Sequence, residues 1–431
     1  DGDAELKTQL RVGRFERDQR AGAIRLAAAA QQPGGVAATL ENFGPATRLT
    51  RGTHLKIQDM DTVHLQSDFS KKFEALGFKH ELLAGADFAH EQKTVYAARS
   101  AAQGGVDMPK PPTTVATPTS ASGVTESSRV LRTSSDFEAK GYGFYAQDLI
   151  QVAPHWKVLV GLRYDNMDGS YNTFGIPNTA PGPVTTASYR QKISEWSKRA
   201  GVLYQPNDLQ SYHFSYGTSF NTSGDTYSYS AQTVNTPPEA SRNIEIGAKL
   251  DSADKRFTTR LAVFHSTKYR ERNTDPDLNI AVLSGKRHAA GAEIDITGRL
   301  TPQWEVYGSY MWMPSAKIDI GAEGAEGQGS RPSLTPRHSG TVWTTYQITP
   351  ALRVGGGLNF RSAQTPNRNP GWEVPGYVTA DLMAEYAISE RYTIKANLSN
   401  VTNKLYADSI YSGHYVPGAG RVFQVTASIK F

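Results

Sequence analysis

A period of two runs through this chain. In its last twelve residues, Gly420–Phe431, the side chains of Phe423, Val425, Ala427, Ile429 and Phe431 fall on one side of an extended backbone, and Gln424, Thr426, Ser428 and Lys430 on the other. Successive side chains of a strand point to opposite faces, so this segment belongs to a sheet with one apolar and one polar face. The alternation recurs upstream. Trp156, Val158, Val160, Leu162 and Tyr164 oppose Lys157, Arg163 and Asp165, and Leu352, Val354, Leu358 and Phe360 oppose Arg353, Asn359 and Arg361. Val378, Ala380, Leu382, Ala384 and Tyr386 oppose Thr379, Asp381 and Glu385, while Trp304, Val306, Tyr310 and Trp312 share a face. A closing Phe suits the edge of a hydrocarbon layer, where aromatic side chains gather.

The connections are unequal. Short turns fall at Ala75-Leu76-Gly77, Ala153-Pro154, Gln205–Asp208, Asp251–Asp254, Thr301-Pro302, Thr349-Pro350 and Ser389-Glu390. At the other end of each hairpin lies a longer loop, such as residues 97–135 around MPKPPTTVATPTSASG. At the start, Ala4–Gly13 reads as a strand, followed by a loop to about Gly52 that holds RVGRFERDQRAGAIR. Short turns on one side and long loops on the other are the layout of an outer-membrane barrel. A soluble sandwich or propeller has no reason to keep that asymmetry. The strands number about sixteen, the first rising from and the last returning to the short-turn side, an even count as a bacterial barrel requires. The expected fold is an all-β, transmembrane, antiparallel β-barrel. Mean hydropathy is −0.48 and no stretch approaches the ~18 apolar residues of a membrane helix. Alternating strands average to just such a polar composition.

Several chemistries are excluded or weakly supported. With no cysteine there are no disulfides, thiolate metal sites or cysteine nucleophiles, which fits passage through an oxidising periplasm. The net charge of +5 is small for 431 residues, and Lys and Arg form no stripe for nucleic acid. His80-Glu81 and His90-Glu91 lack the second His of a HExxH zinc site, and the other histidines are scattered. Ser252–Lys255 matches S-x-x-K but occupies a turn, without supporting motifs. Gly355-Gly356-Gly357 lies inside a strand, where it eases packing or curvature. An enzyme is not expected, nor a metal site, a catalytic residue or a resident cofactor. The chain opens on Asp1 with neither Met nor a leader, and so reads as a processed or cut piece.

Several segments resemble those of the TonB-dependent outer-membrane receptors, and among them the siderophore receptors. FYAQDLIQVAPHWKVLVGLRYD (144–165) is similar to the family hairpin ending in Gly-Leu-Arg-Tyr-Asp. RAGVLYQP (199–206) and SRNIEIGAK (241–249) resemble a further turn and a Glu-x-Gly-x-Lys strand. NLSNVTNKLYADSIY (397–411) with PGAGRVFQVTASIKF (417–431) is similar to the family ending. GRFERDQRAGAIR resembles the ferric-catecholate receptors in particular.

The resemblance implies a bacterial outer-membrane location and uptake of a ferric siderophore, the transported ligand, driven by the TonB complex through an N-terminal segment not visible here. It also implies a plug domain, likewise not visible, and a barrel of roughly 22 strands, about six more than counted. Residues 1–431 then form the C-terminal part of that barrel, embedded in outer-membrane lipid. Phe431 would be read by the barrel assembly machinery, and Gly420–Phe431 would be an open edge unless further strands are supplied or the sixteen close on themselves. The competing readings are a 16-stranded passive diffusion porin, which needs no plug, and an outer-membrane hydrolase, for which no Ser/His/Asp cluster is found.

An anionic ferric siderophore calls for Arg and Tyr donors and aromatic walls. The candidates are Arg14, Arg17 and Arg20 in the first loop, with Arg11 and Arg25 beside them. Trp312 stands near a strand top, with Met311 and Met313 on the opposite, lumenal face; Arg331 and Arg337 flank a later loop, and Tyr411, His414 and Tyr415, with Tyr406, occupy the last. The plainer alternative pairs the early arginines with Glu16 and Asp18 and puts the aromatics in an interfacial girdle.

Overall fold

The computed structural model describes every residue except 1–3, 107–110, 120–125, 176–183, 223–226, 232, 275–280, 322–326, 367–370, 412–413 and 431. Its strands are β1 (Ala4–Leu26), β2 (Arg48–Ala75), β3 (Phe78–Ala98), β4 (Thr113–Thr114), β5 (Leu131–Ala153), β6 (Trp156–Gly175), β7 (Val184–Asn207), β8 (Gln210–Asn221), β9 (Glu239–Asp251) and β10 (Phe257–Thr274). There follow β11 (Ala281–Thr301), β12 (Trp304–Ile320), β13 (His338–Gln347), β14 (Leu352–Arg361), β15 (Tyr377–Ala387), β16 (Tyr392–Ser399), β17 (Ala407–Tyr411), β18 (His414–Pro417) and β19 (Val422–Ile429). One seventeen-stranded sheet holds all but β17 and β18. Within it β4 is a two-residue ladder on β2, which leaves sixteen staves. Each stave pairs antiparallel with its neighbour in the chain, from β1–β2 through to β16–β19. Among the described residues no ladder joins β1 to β19, so the open edge expected of the last strand is present and β1 supplies a second. Phe431 itself lies outside the described residues.

Direct cross-strand partners lie on the same face, so the register separates two walls. One wall carries Leu10, Leu65, Phe88, Tyr142 and Tyr164 on β1–β6, then Val202, Phe214, Ile246, Val263, Ile294, Tyr310, Val342, Leu358, Leu382, Leu398 and Phe423. Ile246 and Val263 are each 61% exposed, and few large apolar side chains are buried among the described residues. A wall of exposed aliphatics around a whole sheet is a lipid-facing belt. Aromatic side chains bound it at both ends. At the short-turn end Trp156 stacks on Tyr204 at 4.5 Å and Trp304 meets Tyr346 at 6.1 Å. At the loop end Tyr164 meets Trp196 at 5.1 Å and Tyr310 meets Phe360 at 6.2 Å.

Stave length is uneven. A tilted strand crosses the hydrocarbon in about 9–11 residues. The staves β13–β19 in the sheet have 8 to 11 residues, whereas β1–β7 have 20 to 28 apart from the short β4. The first six staves therefore stand far above the belt and the last five barely clear it, with β10–β12 at 17 to 21 residues between them. This corrects the expected end of the first strand at Gly13. Above the belt both faces of a strand meet water, the apolar–polar alternation disappears, and RVGRFERDQRAGAIR looks like a loop although its backbone continues the ladder to Leu26. The hairpin β17–β18, within the last loop, is likewise additional to the expected strands.

Ile246→Arg, in the middle of the belt, is expected to destabilise the protein by about 2–4 kcal/mol. Ser215→Arg, which faces Glu245 across the inner wall, is expected to cost much less. Urea titration in lipid vesicles, followed by tryptophan fluorescence, measures both.

Candidate ligand-binding mouth

The inner wall alternates with the belt and is polar. Arg163 reaches Asp87 at 2.6 Å and Asp165 at 2.5 Å, over the ring of Tyr145, whose hydroxyl donates to Asp68. Gly143 makes room for this group, because a Cβ there would overlap the Arg163 guanidinium. Further along the wall His213 meets Glu245 at 2.9 Å and Arg353 meets Glu385 at 3.0 Å. These paired polar groups line a lumen and stay partly exposed to whatever fills it.

Two aromatic groups stand at the loop end. On the tall side, Phe137 and Tyr229 are buried with Tyr171, Tyr189 and Tyr227 around them. Phe137 is from β5, Tyr171 from β6 and Tyr189 from β7, whereas Tyr227 and Tyr229 come from the β8–β9 loop, so that loop folds inward over the wall. Gln191, 3% exposed, holds the loop by donating to the carbonyl of Thr233 at 2.8 Å. Lys93 lies 4.8 Å over the Tyr227 ring. The Tyr229 hydroxyl sits above Gly169, where any Cβ would collide with it, and finds no hydrogen-bond partner among the described residues. Burial pushes this phenol up to about 12.

On the low side, the β14–β15 and β16–β19 loops enclose a cavity of about 670 Å³ walled by Trp372, Tyr377, Tyr406, Tyr411, His414 and Tyr415, with Glu373 and Lys404 at its margin. The hairpin β17–β18 places Tyr411 opposite His414, with rings stacked at 4.9 Å. Tyr377 packs on Tyr406 at 4.5 Å, and Arg361 lies 5.9 Å over Tyr377. Asn400 anchors the base. In the left-handed region at φ 48°, it donates to the carbonyls of Lys404 and Ala419 at 2.9 Å each and accepts from the Lys404 amide. Burial raises the Tyr406 phenol above its ordinary value. Aromatic faces with cations at the margin suit a flat, anionic, ring-bearing ligand.

The structure thus brings Tyr406, Tyr411, His414 and Tyr415 together and disperses the other candidates. Arg331 directs its guanidinium at the carbonyls of Thr335 and Met313, 2.7 Å each, and so ties its own loop to β12. Arg337 is exposed close by, and burial together with Arg337 lowers the Arg331 pKa. Arg14 and Arg20 are on the outer face of β1, paired with Glu16 at 3.3 Å and Asp18 at 2.7 Å, as the plainer alternative has it. Arg17 faces inward and bonds Gln19. Trp312 is in register with His338 on the lipid-facing wall, which makes it a girdle residue. Trp372, Tyr377 and Arg361 are new to the site. Trp372 follows Asn369-Pro370-Gly371, a loop composition that hides an aromatic anchor from periodicity.

Tyr229→Phe, which removes an unpaired buried hydroxyl, is expected to hold or raise stability at neutral pH, by up to about 1 kcal/mol. Gly169→Ala is expected to expel the loop. The wild-type loop should loosen as pH rises from the ordinary phenol value of 10 towards 12, since the folded state there holds a proton that the unfolded state has lost. Hydrogen exchange of residues 227–238 across that range reads all three.

The family model described as "TonB dependent receptor-like, beta-barrel" matches residues 7–401. The probable TonB-dependent receptor BfrD of Bordetella pertussis is 30% identical over 310 residues, 67% of this chain and 40% of that protein. The catecholate siderophore receptor Fiu of Escherichia coli K12 is 25% identical over 393 residues, 85% of this chain and 50% of that protein. The crystal structure of the ferric-catecholate import receptor Fiu in its closed form superposes with a TM-score of 0.87 at 22% identity, covering 100% of this chain and 62% of that one. The unliganded ferric citrate transporter FecA gives a TM-score of 0.72 at 16% identity, covering 100% of this chain and 60% of that one. The chain spans about half or less of the length of these curated relatives. With a belt, two girdles, short turns opposite long loops and this family match over most of its length, the chain belongs to the TonB-dependent receptors and contributes their β-barrel.

Proposed function

We propose that this barrel is the wall and outer mouth of a receptor that binds a ferric siderophore of the catecholate class and passes it inward under the drive of the TonB complex. The observation that carries the reading is the aromatic cavity of Trp372, Tyr377, Tyr406, Tyr411, His414 and Tyr415, bordered by Lys404 and close to Arg361. A ferric tris-catecholate offers three flat rings and net negative charge. Rings pack on tyrosine and tryptophan faces, and the charge is met by lysine and arginine. The relatives described as catecholate receptors support the same class.

The two free edges bear on the porin alternative. A sixteen-stranded pore requires β1 paired with β19, and among the described residues neither edge has that partner. An unpaired edge in hydrocarbon leaves a row of unsatisfied backbone groups. In the receptor reading, about six further strands fill the gap of a roughly 22-stranded barrel, and a plug domain meets the charged inner wall around Arg163. TonB engages a segment outside residues 1–431, and Phe431 serves recognition by the assembly machinery.

In the full-length protein, a Tyr411→Ala, Tyr415→Ala double variant is expected to weaken ferric tris-catecholate binding about tenfold, two aromatic contacts at roughly 0.5–1.5 kcal/mol each. Quenching of intrinsic fluorescence measures it, and unchanged affinity would remove the cavity from the site. Deleting TonB should abolish uptake while binding persists. Uptake that continues without TonB would favour the porin.

A further inference from the structure

The aromatic cavity at the mouth has two halves that the sheet does not join. Tyr377 stands on the inner wall at the loop end of β15, whereas Tyr406, Tyr411, His414 and Tyr415 hang from the loop after β16. The ladder between β15 and β16 stops at Leu382 and Leu398. Past that point two amides of the departing chain still bond β15. The Val401 amide donates to the Ala380 carbonyl at 2.8 Å, and the Asn400 amide donates to the Asp381 carboxylate at 2.7 Å. The second of these joints depends on a side chain, and so on the residue type.

Asp381 is held from both sides. It shares the inner face of β15 with Tyr377, four residues or roughly 13 Å further down the wall. Its other oxygen accepts from Asn359 Nδ2 on β14 at 2.9 Å, and Asn359 Oδ1 accepts from the Thr341 hydroxyl on β13 at 2.8 Å. Three adjacent staves therefore fix one carboxylate. Asn400, 4% exposed and at φ 48°, carries the restraint into the loop by donating to the carbonyls of Lys404 and Ala419. A second cavity, of about 440 Å³, is lined by Asn359, Asp381 and Asn400 and shares Tyr377 and Tyr406 with the mouth cavity. The relay thus ends against the two rings whose contact at 4.5 Å joins the halves.

The charge of Asp381 sharpens its role. Among the described residues its oxygens are met by uncharged donors, and no lysine or arginine pairs with it. A carboxylate without a counter-ion beside a cavity for an anionic ligand opposes binding by charge. What it supplies is an acceptor: without it the Asn400 amide, in a buried residue, has no partner, which is costly enough to move the loop base. We propose that Asp381 is a positioning residue of the siderophore cavity, acting through Asn400 to hold the last loop so that Tyr406 and the β17–β18 hairpin face Tyr377. This rests on the cavity being the place where the siderophore binds.

The test uses full-length receptor and two readouts: fluorescence quenching by ferric tris-catecholate, and hydrogen exchange of residues 400–411 without ligand. Asp381→Ala is expected to weaken binding and to speed exchange, each about tenfold. Asp381→Asn keeps an acceptor for the Asn400 amide and is expected to stay within about threefold of wild type in both. Tighter binding by both variants would mean that the residue acts through charge alone, and would overturn the proposal. Exchange or affinity left unchanged by Asp381→Ala would overturn it as well. The Tyr411→Ala, Tyr415→Ala variant separates the two readings. If it loses affinity while Asp381→Ala does not, the positioning role fails; if it also binds as wild type, the cavity itself is not the site. Heat-modifiable migration checks that each barrel has folded. Should Asp381→Ala fail to fold, Asn359→Ala removes only the donor that orients the carboxylate, and is expected to weaken binding about threefold with faster exchange; no change in either would overturn the proposal.

Discussion

Backbone hydrogen bonding in hydrocarbon is the constraint on which the rest depends. A strand inside a bilayer has no water to satisfy its N–H and C=O groups, so it needs a neighbour along its whole crossing on both sides. Fourteen of the sixteen staves have two such neighbours by simple meander, each paired with the stave before it and the stave after it. The two that do not, β1 and β19, have one ladder each among the described residues. Everything else hangs on the ladder. Because it fixes which residues stand opposite one another, it also fixes which side chains meet lipid and which line the lumen.

The same alternation therefore carries two chemistries. Outward positions supply a belt whose energetic role is to match the acyl layer, with aromatic pairs at its margins. Inward positions supply fixed charges that neutralise one another, as Arg163 does between Asp87 and Asp165. At the mouth the ladder ends and single side chains take over. Gln191 and Asn400 fix loops by bonding main-chain groups, and Arg331 does the same with three carbonyls. The difference in stave length gives that mouth one high wall and one low one, and the cavity lies among the loops of the low side.

Legibility followed burial contrast. Strands were readable wherever one face met lipid and the other water, which is why the turns near 76, 154, 302 and 350 fall where the structure has them. Reading failed above the belt, where β1 continues from Gly13 to Leu26 with water on both faces. The arginines followed the same rule. Their type suggested an anion site, but facing decides use, and Arg14 and Arg20 face outward to Glu16 and Asp18 while Arg331 is spent on carbonyls. Trp312 had the right chemistry on the wrong wall. Tyr411, His414 and Tyr415 share the last loop, so their grouping is legible in the sequence, while Trp372 and Tyr377 come from a different loop that only packing brings alongside.

The sequence by itself determined the sheet, its two faces, the asymmetry of turns and loops, and the residues of the closing strand. Period two and turn chemistry are local properties, written within a few residues of where they act. Only the tertiary structure decided how high each stave rises, which cations find carboxylates, and which aromatics from separate loops share one cavity. Those outcomes depend on contacts between residues far apart in the chain. In the last strand the two levels meet: Val422–Ile429 carries its pattern locally, and its free edge is visible only once every other stave has found a partner.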